Sequence, residues 1–106
     1  MASEVSSILS DVFRVPISLG IYENYQEAIR EVVTDFVLQK IEYYRNRIAE
    51  HEKKYGVSFV DFTFQLSDKA TISDEDDWME WEADMNLLKG WEETYAEIEQ
   101  SDGPRD

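Results

Sequence analysis

Residues 23–55 read ENYQEAIREVVTDFVLQKIEYYRNRIAEHEKKY and contain neither glycine nor proline. Apolar or aromatic residues recur at Ile29, Val33, Val37, Ile41, Tyr44, Ile48 and Tyr55, with Val32 and Phe36 widening the stripe. This spacing predicts one long amphipathic helix over residues 23–55. Lys53 and Lys54 form a basic last turn, Glu50 and Lys54 are a favourable i, i+4 pair, and Gly56 supplies a left-handed cap. At about 1.5 Å per residue the helix spans roughly 50 Å, whereas a domain of about 100 residues has a radius of gyration of about 13 Å. A helix that outruns its own globule either kinks or has its stripe covered along its length by a second chain; with no internal breaker the second is expected, and the fold is then a mostly α, elongated homodimer.

Upstream, residues 12–19 alternate Phe13, Val15, Ile17 and Leu19 with Arg14, Pro16 and Ser18, the period-2 pattern of a strand. Pro16 makes it an edge strand. Unless residues 57–66 provide a mate, the economical one is the same strand of a second copy. The expected dimer interface is therefore Val15 and Ile17 of the strand with Ile29, Val33, Val37, Ile41, Tyr44 and Ile48 of the long helix.

Downstream, residues 57–66 support two readings. Val60, Phe62, Phe64 and Leu66 alternate with Asp61, Thr63 and Gln65 as a strand would. Ser58 followed by Asp61 also resembles a capping box, and Phe59, Phe62 and Leu66 share one face of a helix. Residues 67–72 read as a loop, after which Ser73 can cap an acidic helix over residues 74–99 with Trp78, Trp81, Met85, Leu88, Tyr95 and Ile98 on its apolar face. Gly90 interrupts that helix at a cost of about 1 kcal/mol relative to alanine, which points to a bend or to the close approach of another backbone. Residues 1–100 are expected to form a single helical domain, with 101–106 a disordered tail.

The composition removes several functions. Of 106 residues, 24 are acidic and 10 basic, a net charge of −14, yet 42% are hydrophobic, enough for a folded domain rather than a disordered polyanion. There is no cysteine, hence no disulfide, thiolate metal site or thiol nucleophile. Gly20, Gly56, Gly90 and Gly103 are never closer than thirteen residues, which excludes the usual phosphate-cradling loops. His51, the single histidine, lies in a Glu- and Lys-rich helix, reads as a solvated or partner-facing residue, and belongs to no Glu-x-x-His pair of the kind used by carboxylate-bundle enzymes. Asp74, Glu75, Asp76 and Asp77 lack the alternation and glycine of a calcium loop and suit the first turn of a helix. No enzyme activity, cofactor or metal is expected. With no apolar run long enough for a membrane and no secretion signal in Met1-Ala2-Ser3-Glu4, the expected location is cytoplasmic.

Charge is unevenly placed: net −2 up to Gly56 and net −12 from Val57 onward. An acidic aromatic helix can attract a basic protein partner over distance and anchor it with rings. The candidate partner-binding residues are Asp76, Asp77, Glu80, Trp81, Trp91, Glu92, Glu93 and Tyr95. Against this, tryptophans at helical spacing are more often core, which bears most on Trp78 and Trp81. Nucleic acid is disfavoured by the net charge, so any DNA contact would be local, at Arg14 on the strand or at Arg45, Arg47, Lys53 and Lys54.

The run Glu52-Lys53-Lys54-Tyr55-Gly56-Val57-Ser58-Phe59, with Val12 to Leu19 before the long helix and Trp78-Met79-Glu80-Trp81-Glu82 after it, resembles the small antitoxins of prokaryotic two-gene toxin–antitoxin modules. The resemblance covers about residues 12–92 and departs from the pattern at Val57, Thr63 and Phe64 and in the extra stretch from Tyr95. It implies a short helix at 58–66 and a protein that dimerises through its N-terminal half and masks a toxin with its C-terminal region. The alternative is a structural or adaptor helical homodimer with no toxin partner. Glu27-Ala28-Ile29-Arg30 is also similar to the second helix of ribbon-helix-helix repressors, but the unbroken 23–55 stretch offers no turn between two helices.

Overall fold

A computed structural model of the chain describes residues 2–101 and contains four helices: α1 (Ala2–Ser18), α2 (Tyr25–Tyr55), α3 (Phe59–Lys69) and α4 (Ile72–Ser101). No strand occurs among the described residues. The chain divides into two compact units within α2, one up to Phe36 and one from Val37 onward. Apart from Ser101, which ends α4, the expected tail at 101–106 lies outside the described residues.

The mostly α reading agrees with this architecture, but the edge strand at 12–19 is overturned: those residues are the end of α1 and the turn after it. The side-chain environment shows why. Period 2 would put Phe13, Val15, Ile17 and Leu19 on one face, whereas Phe13 is buried, Pro16 and Ile17 are half-buried, and Val15 and Leu19 are exposed. That is the helical period, continuous in sequence with Val5, Ile8, Leu9 and Val12. Pro16 sits inside α1, in its closing turns, and costs the helix the hydrogen bond its absent N–H would have made to Val12. The helix ends in a Schellman motif: Gly20 at φ +79° donates its N–H to the Ile17 carbonyl and Ile21 donates to the Pro16 carbonyl, both at 3.0 Å. Phe13 then packs edge-on against Tyr22 and Tyr25, with ring centroids 6.0 and 6.3 Å away.

The long helix begins at Tyr25, two residues later than expected, because Asn24 caps it: its Oδ1 accepts the Glu27 N–H at 2.9 Å. Its end is where the sequence placed it, with Gly56 at φ +69°. In α3 the helical reading wins. Ser58 Oγ accepts the Asp61 N–H, Phe62 is buried and Leu66 half-buried, while Val60 and Phe64, which a strand would place beside Phe62, point outward. The expected loop at 67–72 shrinks to Ala70 and Thr71. Thr71, not Ser73, caps α4: Asp74 N–H donates to Thr71 Oγ1 at 3.1 Å and Thr71 N–H to Asp74 Oδ2 at 3.4 Å, a reciprocal box that leaves Ser73 inside the helix.

Candidate functional site

Within the unit from Val37 onward, α3 packs directly on α4, and α2 meets α4 through long side chains. The partners along these two helices run in opposite order. Tyr55 and Lys54 reach Asp77, His51 and Arg47 reach Asp84, and Arg45 reaches Glu92, so α2 and α4 are antiparallel. At the centre lies Trp81, fully enclosed, with its ring stacked near His51 at 5.4 Å, Tyr55 at 6.3 Å and Phe62 at 5.5 Å, and edge-on to Phe59 at 5.4 Å. Tyr55 and Phe62 close the cluster, 4.1 Å apart. The Trp81 indole N–H finds no acceptor among the described residues, which costs about 1–3 kcal/mol where a donor is fully desolvated.

One turn along, Asp84 is almost fully buried and uses both carboxylate oxygens: Oδ1 accepts from Arg47 Nε at 3.0 Å and Oδ2 faces His51 Nε2 at 3.2 Å. Arg47 also donates to Glu80. Hydrogen bonding to Asp84 raises the guanidinium pKa above its already high value, so Arg47 stays charged at any working pH. His51, Glu80 and Asp84 offer donor atoms that all lie within 4.8 Å of one another, the spacing of a metal triad. The guanidinium already engages both carboxylates, however, and a dication entering there would meet a fixed positive charge. The arrangement is an arginine-neutralised lock that sets the register of α2 on α4.

A second polar group closes the end of the helix pair. Tyr55 Oη donates to Asp77 and lies 3.5 Å from Asp74, and Lys54 Nζ pairs with Asp77 at 2.6 Å. Burial, followed by its hydrogen bond to Asp77, pushes the Tyr55 phenol well above its usual range; hydrogen bonds from Lys54 and then Tyr55 hold Asp77 below the usual carboxylate range.

This geometry sorts the candidate partner-binding residues by face. Trp81 is interior, and Asp77, Glu80 and Glu92 pair with Lys54, Arg47 and Arg45 of the same chain. Asp76 and Glu93 are exposed on the outer side of α4; Trp91 is half-buried, and so is Tyr95, whose phenol is raised by a hydrogen bond to Glu99. Of the expected dimer residues, Val37 and Ile41 are buried within this chain, Ile17, Ile29, Tyr44 and Ile48 are half-buried, and Val15 and Val33 are exposed. Arg14 is exposed on helix α1, not on a strand, and three of the four bases of the α2 cluster are in ion pairs with α4. Spacing alone did not reveal the Arg47–Asp84–His51 lock; the signal was a lone histidine and an arginine one turn apart on α2, with an aspartate on the tryptophan stripe of α4. No helix among the described residues is long and apolar enough to cross a membrane.

Comparison with protein-family models, curated proteins and solved structures finds no match to this chain.

Proposed function

We propose that the protein is a non-catalytic, antitoxin-like binding protein that captures a basic protein partner with its acidic C-terminal helix. The observation that carries this reading is the sorting of charge across α4. Inner acids Asp77, Glu80, Asp84 and Glu92 are neutralised by bases of α2, whereas Asp76, Glu82, Glu93 and Glu97 stand exposed on the outer side. Such a face raises encounter rates with cations and contributes little to folding, as expected of a surface kept for a partner. Homodimerisation belongs to the same proposal: Val12, Val15, Leu19 and Ile21 of the first unit are each more than half exposed, and a second copy would cover them.

The test is capture of partners by the tagged full chain from its native host at low salt, repeated after a 0.5 M salt wash that shortens electrostatic reach to roughly the contact scale. A near-stoichiometric basic companion that survives the wash is the expected result. Recovery of the protein alone, where a basic product of the neighbouring gene is shown to be expressed, overturns the proposal in favour of the adaptor homodimer. One observation already favours that second reading: Trp81 is enclosed and Trp78 is stacked on Phe59 and bonded to Thr63, so both serve the fold of the chain itself.

A further inference from the structure

Gly90 stands in the middle of a 30-residue helix, where glycine is disfavoured. Its own chain does not explain it. A Cβ built at Gly90 meets nothing within 4 Å, so neither another element nor a tight turn requires its absence. The glycine forms the floor of a shallow notch of about 290 Å³ lined by Asn86, Leu87, Gly90, Trp91 and Thr94. At helical spacing the notch continues an outward stripe through Ala83, Met79 and Ile72, of which Ile72 is 80% and Met79 63% exposed. At helical spacing Glu82, Glu93 and Glu97, all exposed, flank the notch on its Asn86 edge, with Lys89 the single base beside them.

From this we infer that the Gly90 notch is the seat of a basic amphipathic helix from the partner protein, whose backbone crosses α4 at the glycine. The inference rests on the reading of the outer face of α4 as the partner surface and names its centre. A missing side chain lets two helix axes approach, because the interaxial distance is set by the side chains at the crossing. Leu87, Trp91 and Met79 offer the apolar anchors, and the three glutamates select a cation-rich face. The occupant is not a second copy: the same face of a second α4 carries the same acids and is repelled. An anionic lipid surface or nucleic acid is repelled likewise.

The experiment titrates the full-length protein with a synthetic amphipathic peptide, leucine on one helical face and lysine elsewhere, by calorimetry, with the bound surface mapped by amide shift changes. The same peptide with glutamate for lysine is the control. Gly90→Gln, a better helix former, keeps the fold and fills the notch; Glu93→Lys with Glu97→Lys reverses the border charge. The inference expects shifts centred on residues 86–94, no binding of the glutamate peptide, and roughly tenfold or greater loss of lysine-peptide affinity in Gly90→Gln, together with an unchanged or raised Tm. Unchanged affinity in Gly90→Gln, with loss confined to the charge-reversed protein, overturns the notch and leaves the acidic-face function standing. Loss in Gly90→Gln with no effect of charge reversal overturns the selection of a basic helix by the bordering glutamates, and the electrostatic function with it. Failure of the lysine peptide to bind the unaltered protein, or shifts centred on another element, overturns the inference outright.

Discussion

The two units of this chain are built by different means. In the first, the buried residues among those whose side chains are described are Phe13 and Ala28, and the Phe13 ring packs edge-on against two tyrosines. In the second, Trp81 and its neighbouring rings form a continuous aromatic cluster, and every turn of α2 from Arg45 to Tyr55 sends a polar side chain to a named acid of α4. Apolar contacts are non-directional and tolerate sliding; a buried carboxylate with two assigned partners does not. In the second unit, then, charge pairing sets the register and aromatic burial supplies the stability.

The largest effect should come from removing the ring on which the second unit converges. Trp81→Ala deletes a fully enclosed side chain in contact with rings from α2 and α3, and truncations of that kind cost about 3–5 kcal/mol. Phe13→Ala, whose ring partners are two half-buried tyrosines, should fall at the low end of that range, about 3 kcal/mol. Chemical denaturation followed by circular dichroism measures both, and equal losses would break the contrast between the units.

How much of the fold is legible in the sequence depends on which period has enough residues to speak. The 23–55 stretch holds its stripe from Ile29 to Tyr55, about seven turns, and the helix it predicts differs from the structure only by two residues at its start. Over 12–19 the alternating and helical patterns both fit, and only the longer run from Val5 separates them. At 57–66 Ser58 is decisive, since a cap satisfies backbone donors that a lone strand would leave open. Within the candidate site, the acidity of α4 is legible in composition, but not which acids face inward. That depends on the antiparallel docking of α4 on α2, a long-range fact that no local window contains.

A pH profile sharpens the account of the second unit. Asp77 titrates below the usual carboxylate range in the folded protein because Lys54 and Tyr55 bond its ionised form. A depressed folded pKa contributes stability that is fully present above the unfolded value, roughly pH 4, and is lost as pH falls through the folded value. Asp77→Asn should therefore be less stable than the unaltered protein at neutral pH, with the gap closing below about pH 4. A gap constant down to the acid transition would mean that Asp77 acts by shape and not by charge.

The smallest expected effect is the most informative about why residues of the same kind, two positions apart on α2, matter unequally. Arg45 pairs with Glu92 at 3.0 Å, but the two side chains are 63% and 45% exposed, and pairs of that kind are worth about 0–1 kcal/mol and are screened by salt. Arg47 engages Asp84, whose side chain is only 5% exposed, so its loss strands a buried carboxylate. Arg45→Ala should leave the unfolding free energy within about 0.5 kcal/mol of the unaltered protein's, and the part it removes should be sensitive to salt. If Arg45→Ala instead destabilises as strongly as Arg47→Ala, and does so equally in high salt, burial is not what separates the two arginines, and the register of α4 on α2 is held by the whole row of ion pairs, not by the lock at Asp84.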